Sequence, residues 1–505
     1  MIWTILKKEF RYNLSTLRFR AGIVLLLLLI VSFAPILLNS HKKQLSDYNH
    51  LVSQNLLDLQ NLMTWQNLTP SIYNPPEPLA LFSRGIEENI SSSFRIVLDE
   101  IPVLRSSGTS ENPLLGVFSV LDMALVFKLI LSVLALLLAY DSLSGEKERG
   151  TLGLIFSNQL QRHKLILGKF FGGVVTLFLP VFFGFLLTAF MIERSPFIDF
   201  DAEGWLRIFF MGLASWLLAL VFFSIGLFMS SITKRASDTL ITLSLVWSIS
   251  LIVIPNLSSY LAVRIHPFQP RSGMTQQKQE ILYERGQKIN SIIHAQSIRG
   301  LVIQHDEFEP WGSYYRVATR ALIRLRQETD PLIAKVRIEY ADRLREIDGR
   351  HYAILMRQKN TADFLSILSP VAVYEKVMNS FSRTDATSQK EFERQAGVYR
   401  EQIIDYLKGN EAFSSLRYST TLEESQVPEL DTKEEVDKKF APIRDRLLET
   451  QPAPLEVSEI PRFHYDPVRM NISLKSVRSQ LGLLLFMVLL FLIGTLATFK
   501  KFDVR

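Results

Sequence analysis

The chain has 505 residues and a net charge of +6, with 48% hydrophobic and 21% charged residues. That mixture excludes a bare membrane bundle and points to spans that carry substantial water-exposed mass. There is no cysteine, which excludes disulfide staples, thiolate catalysis and cysteine-ligated metals. No basic stripe is interleaved with aromatics, so no nucleic-acid partner is expected.

Met1–Arg20 interleaves Trp3, Ile5, Leu6, Phe10, Leu14 and Leu17 with Lys and Arg, a pattern expected of a helix lying at the membrane interface. Six apolar runs follow: Ala21–Leu38, Phe118–Tyr140, Phe170–Ile192, Ile208–Ser230, Thr239–Leu257 and Leu481–Phe499. Each approaches the roughly 20 residues, at about 1.5 Å apiece, that match a hydrocarbon core of about 30 Å. The first has basic flanks like a signal peptide, but no small-residue cleavage site follows, so it reads as an uncleaved anchor.

Lys and Arg gather in Met1–Arg20, in the loop 141–169, in Ser231–Ser237 and in the tail 500–505, whereas the short loop Glu193–Arg207 is acidic on balance. The positive-inside rule then places both termini in the cytoplasm. Two segments are left on the other side. The first, 39–117, opens with a helical pattern over Lys42–Asn67 and breaks at SIYNPPEP. The second, 258–479, is long enough to bury a core of its own. It reads as helical over Gln276–Arg299, Ser313–Phe364 and Ser388–Lys408, with Pro331 expected to kink or split the middle one. A shorter helix is expected near Thr432–Glu449, capped by Asp431. The fold class is therefore an all-α polytopic membrane protein with six transmembrane helices and a large, mainly helical extracytoplasmic domain between the fifth and sixth.

The stretch Asp141–Lys169, DSLSGEKERGTLGLIFSNQLQRHKLILGK, is a charge-dense amphipathic loop between two spans. Glu146, Arg149, Gly150 and Thr151, with Gly168-Lys169 beyond them, resemble the first intracellular loop of ABC-2-type ABC transporter permeases. The LSPVAVYEKV stretch at Leu368–Val377 and the residues after it look like the outer region of the subgroup with a large fused extracytoplasmic domain. The resemblance implies the permease subunit of a bacterial inner-membrane transporter that exports or extracts an amphipathic substrate. Its coupling helix would dock on a separate ATPase subunit through Glu146, Lys147, Glu148, Arg149, Gly150 and Thr151. A second permease copy or a related permease would complete the complex, with ATP and Mg on the ATPase subunits and none in this chain. Charged side chains on a short helix give such a contact its register, and Gly150 suits a sharp turn at its end. An alternative is mechanotransmission, in which ATP hydrolysis works the outer domain on a periplasmic partner and no substrate crosses.

Asp122 and Lys128 are the only charged residues within the six runs. Six residues apart on a helix, they do not pair; Asp122 is expected to reach water at the outer end. Lys128 needs a carboxylate, a carbonyl or a wet translocation path, because a cation inside a span costs about 2.5–3.5 kcal/mol on insertion scales. Arg264–Pro267 and the His305, Asp306, Glu307 and Glu309 cluster lack a partner motif, so no metal is expected. The nearest approach to a phosphate loop, HKLILGKF, has His163 where the first glycine belongs and Phe170 where the hydroxyl belongs. The chain is not expected to split ATP itself.

Overall fold

The computed structural model describes residues 2–85, 93–103, 122–152, 156, 161–267, 271–297, 320–421, 423, 427, 453–455 and 459–500. In chain order its helices begin with α1 (Ile2–Ser15), α2 (Leu17–Gln60), α3 (Met123–Ala139) and α4 (Ser144–Glu148). Then come α5 (Arg162–Glu193), α6 (Ala202–Ile232), α7 (Ala236–Ser248) and α8 (Ile254–Ile265). The series ends with α9 (Arg271–Ser297), α10 (Arg320–Leu365), α11 (Pro370–Phe381), α12 (Ala386–Gly409) and α13 (Met470–Lys500). The two strands among the described residues, β1 (Ser71–Tyr73) and β2 (Ser93–Arg95), form an antiparallel pair with Ile72 opposite Phe94. Among the described residues, six helical stretches are long and apolar enough to cross a bilayer: α2, α3 with α4, α5, α6, α7 with α8, and α13. The Thr432–Glu449 helix, the His305 cluster, Phe118–Leu121 and residues 501–505 lie outside the described residues.

The first span does not stop where its apolar run stops. α2 is 44 residues long, or about 66 Å at 1.5 Å per residue, and continues through Lys42 into the segment expected to start a separate helix. Nothing between Leu38 and Lys42 breaks a helix, so the chain has no reason to end there. α1 packs lengthwise on the third span: Ile5 lies against Gly168, Glu9 against Gly172, and Asn13 Nδ2 donates to Thr176 Oγ1 at 3.4 Å. The constant offset means that the two helices run parallel, and the glycines four apart let them approach closely. The contact lies at the start of the third span, and Trp3 and Tyr12 of α1 remain exposed. The short loop expected over 193–207 also shrinks, because Asp201 caps α6 and draws Glu203 and Arg207 into the helix.

The largest departure from the sequence reading is α11, which carries most of LSPVAVYEKV. It was expected outside the membrane, yet it packs among the spans. Val371, Val373, Tyr374, Val377, Met378 and Phe381 are buried in the same apolar cluster as the spanning helices. Tyr374 Oη is 3.0 Å from Ser215 Oγ of the fourth span, and Ser369 Oγ donates to the Ser250 carbonyl at 2.6 Å. Ser250 sits midway along the 30-residue fifth span, in a π turn over Ile249–Val253. In that register its carbonyl would accept from residue 255, which is proline and has no N–H, so the Ser369 hydroxyl takes its place. α10 runs through Pro331 as one helix, so of the expected kink or split the split does not occur.

Outside the bundle a second core unites the two segments that the sequence separates. Leu62, Leu68, Ile72, Phe94 and Ile96 from the first pack on Phe392, Ala396, Tyr399, Ile403 and Leu407 of α12. Arg400 fastens them: its guanidinium donates to the carbonyls of Val97 at 3.1 Å and Leu98 at 2.6 Å.

Two measurements test this packing. A Cβ at Gly173 would lie 2.1 Å from the Phe223 ring, whereas one at Gly286 would meet nothing. Gly173→Ala should cost about 1–3 kcal/mol by overpacking, and Gly286→Ala should leave the melting temperature unchanged or raise it; melting curves in detergent compare them. Asp330 is buried on α10, and desolvation pushes its pKa up to about 6 despite Arg326 and Arg337 nearby. A carboxyl raised in the folded state favours folding below its unfolded pKa and loses that contribution as pH rises through about 6. The second core should therefore gain stability as pH falls from neutral toward 5. Asp330→Asn should abolish that gain and stabilise the protein at neutral pH, as read by hydrogen exchange in α10.

Candidate functional site

The residues singled out by sequence fall at two ends of the bundle, one on the face that carries α1 and one under the second core. On the first face, α4 is a five-residue helix laid across the ends of neighbouring spans. Ser230 Oγ, at the end of α6, accepts the backbone N–H groups of Leu143 and Ser144 at 3.0 and 2.9 Å and donates to the Tyr140 carbonyl. Arg149 caps α4, and Gly150 follows with φ 71°, the left-handed conformation in which glycine ends a helix without strain.

The six loop residues divide by where their charges go. Glu146 is buried and accepts from Lys169 Nζ at 2.8 Å; Lys169 also donates to Glu9 Oε1 of α1 at 3.0 Å. This Glu9–Lys169–Glu146 triad ties α1, the loop and the third span together. Lys147 points the other way and donates to the carbonyls of Ser230 and Thr233 at 3.2 and 3.0 Å, where the fourth span runs out of intrahelical donors. Glu148 is exposed and accepts the Ala236 N–H at 3.0 Å, at the N-terminus of the fifth span. Arg149 and Gly150 are exposed and Thr151 is half-buried, with its hydroxyl donating to the Glu146 carbonyl. Glu146 and Lys147 are thus turned into the protein, and the side chains left facing outward are Glu148 and Arg149. Beside them a hollow of about 470 Å³, open between α1 and the loop, is lined by Lys8, Tyr12, Arg18, Glu146 and Arg149. The far end of the loop is pinned as well, since Arg162 donates to the Lys500 carbonyl at 2.7 Å.

At the other end, Asp122 does not reach water. It is the buried N-cap of α3, with one carboxylate oxygen accepting the Leu125 N–H at 2.7 Å and the other the Arg84 N–H at 3.3 Å. That corrects its expected exposure; a carboxylate at that position satisfies helix donors instead of water. Lys128, one turn and a half further on, is ion-paired with Glu375 of α11. Its counter-charge therefore comes from the segment that was expected outside the membrane. His266 Nε2 lies 3.0 Å from Thr361 Oγ1, and its carbonyl accepts from Gln358.

Two residues of this end were missed. Glu375 was discoverable, because a lysine inside a span requires a carboxylate and VAVYEKV offers one in an apolar setting. Arg207 was assigned to a loop, yet it is fully buried. It donates to Glu203 at 2.9 Å, to the carbonyls of Phe381 and Val468 at 3.2 and 2.6 Å, and to Ser473 Oγ at 3.1 Å.

The model of a family described as ABC-2 family transporter protein matches residues 3–504. NosY of Pseudomonas aeruginosa, named a probable ABC transporter permease protein, is 39% identical over 114 residues, which make up 22% of this chain and 38% of that protein. The protein of the same name from Stutzerimonas stutzeri is 40% identical over 67 residues, 13% of this chain and 24% of its own length. The chain therefore spans less than half the length of these curated relatives.

The triad makes a stability prediction. Lys169→Met strands two largely buried carboxylates at the edge of the hollow between α1 and the loop and should cost up to roughly 3–5 kcal/mol. Adding Glu9→Gln and Glu146→Gln should restore much of the loss. Yield and melting temperature in detergent read both, and a single variant as stable as the native chain would show that the triad does not hold these elements together.

Proposed function

The chain belongs to the ABC-2 family of transporter proteins, and on that premise we propose that it couples ATP hydrolysis by a separate nucleotide-binding subunit to the export or extraction of an amphipathic substrate. In this reading the face carrying α1 and α4 is cytoplasmic, and its excess of Lys and Arg supports that orientation. The ATPase docks on the Glu148–Thr151 end of the loop, where Glu148, Arg149 and Gly150 are exposed. A second permease copy or a related permease pairs with the chain in a bacterial inner membrane, and ATP and Mg are held by the ATPase subunits.

The observation that carries this reading is the set of intramolecular ties made by the loop. Through Glu146, Lys147 and Glu148 it is bonded to α1 and the third span, to the end of the fourth and to the start of the fifth. A push on its outer surface acts on all of them at once, which is what coupling to a soluble motor requires. Mechanotransmission is the second reading. It is favoured by α11, a helix of the chain's largest outer segment seated inside the bundle and salt-bridged to the second span.

The test is affinity purification of the tagged chain from its native membrane, beside an Arg149→Glu variant. Among the described residues Arg149 donates only through its Nε, to the Gly145 carbonyl, so the reversal perturbs the surface more than the fold. An ATPase subunit should co-purify with the native chain and fall by about tenfold, near 1.4 kcal/mol, with the variant. No ATPase even after cross-linking would end the coupling reading. A protein retained through the outer domain, with no substrate-stimulated transport in vesicles, would favour mechanotransmission.

A further inference from the structure

α9 and α10 form an antiparallel hairpin laced by charge. Lys278 pairs with Asp348 at 2.5 Å, Glu284 with Arg343 at 2.7 Å, and Lys288 with Glu339 at 3.2 Å. Between this hairpin and the second core lies a cavity of about 480 Å³, within the range of roughly 300–1,000 Å³ found for small-molecule sites. Two ion pairs bridge its rim: Lys278–Asp348 joins the two hairpin helices, and Arg285–Asp99, at 3.2 Å, joins the hairpin to the segment after β2. Trp65, Leu68, Leu407 and Tyr418 supply apolar and aromatic walls from the core.

The chemistry is set by α10. Its cavity-lining residues include Arg337, Ala341, Leu344 and Arg345, whose spacing puts them on one helix face. Unlike Lys278 and Arg285, neither Arg337 nor Arg345 has a carboxylate within 4.0 Å among the described residues. Asp330, buried on the same helix, is mostly ionised at neutral pH even with its pKa pushed up to about 6, but its carboxylate pairs with Arg326 at 3.8 Å and does not line the cavity. Two guanidinium groups about 12 Å apart along the axis, each on a long flexible stem, can converge on one group between them. Low-dielectric walls strengthen their attraction for an anion, and the fork geometry of arginine suits carboxylate and phosphate oxygens.

We propose that this cavity binds a small organic anion, its carboxylate or phosphate held by Arg337 and Arg345 and its aromatic or aliphatic body seated on Trp65, Leu344 and Leu407. The site is independent of ATPase docking, since it lies wholly outside the bundle. Asp99, Glu100 and Asp348 also line the cavity against Lys278, Arg285, Arg337 and Arg345, so the lining is net positive by one charge and favours an anion over a cation, and a fully polar ligand leaves the apolar walls wet.

The test uses the full chain in nanodiscs of zwitterionic lipid with 4-phenylbutyrate as the probe, followed by saturation-transfer NMR. Saturable binding is expected, with benzylphosphonate competing and 4-phenylbutylamine not competing. The Arg337→Gln, Arg345→Gln double variant should lose at least tenfold in affinity, and the corresponding double lysine variant should keep part of it. Should the glutamine variant melt early, Leu344→Trp, which fills the cavity without changing charge, should abolish the same signal. Competition by the amine equal to that of the phosphonate would overturn the proposal. So would unchanged binding to the variants, or no saturable binding by the native chain.

Discussion

The arrangement under the second core depends on one buried guanidinium. Taking an arginine out of water costs several kcal/mol unless its donors all find acceptors. Arg207 finds them only when separate parts of the chain meet: Glu203 one turn back, the last carbonyl of α11, the Val468 carbonyl ahead of the sixth span and Ser473 within it. Arg383 reinforces the junction from the end of α11, donating to Glu203 at 2.8 Å and to the Val468 carbonyl at 3.0 Å. It does so from a left-handed backbone, φ 57°, which a non-glycine residue holds only when its surroundings fix it. Such a cluster contributes specificity more than stability. A slip of α11 or of the sixth span by one residue would leave charge buried without partners.

With α11 fixed there, the other polar features of the bundle follow. Lys128 meets Glu375, Ser215 meets Tyr374, and the carbonyl exposed by Pro255 meets Ser369. Each pairs a span residue that is awkward in lipid with a residue of one short helix. The six spans were legible in the sequence because lipid demands long apolar runs and satisfies no backbone group itself. α11 was not legible, because a helix buried in protein at membrane depth is free of that demand. Twelve residues with one Glu and one Lys look the same outside a membrane as inside a bundle.

The loop shows the same limit from the other side. Its position between two spans, its basic ends and the Gly150 turn were readable from sequence. The direction of each side chain was not, since Glu146 and Lys147 are neighbours in a charged run and yet both point inward, to different helices. The second core was hidden for a further reason. Its halves are more than 200 residues apart, and β1, α2 and α12 share no local pattern that announces their contact. Pro331 failed as a helix breaker because packing of α10 on the core outweighs one lost hydrogen bond, whereas Pro255 is accommodated by a π turn and a borrowed hydroxyl.

The two polar ends are joined by rigid pieces of the same helices. From Lys128 to Ser144 the second span and its turn cover 16 residues, about 24 Å of helix. Ser230 holds the loop end of that stretch against the fourth span, while α11 holds the other end of both spans through Glu375, Tyr374 and Phe381. The contact between the spans leaves no slack, since a Cβ on Gly226 would come within 2.4 Å of Ala139. A displacement of the loop that kept these groups paired would have to carry the second span, the fourth span and α11 as one body. The fifth span is different: it is the least buried of the six and is interrupted at Ile249–Val253. Bending there strands no charge and puts at stake one hydroxyl bond, from Ser369 to the Ser250 carbonyl. Physical economy therefore puts compliance in the fifth span and rigidity in the block that runs from the loop to the second core.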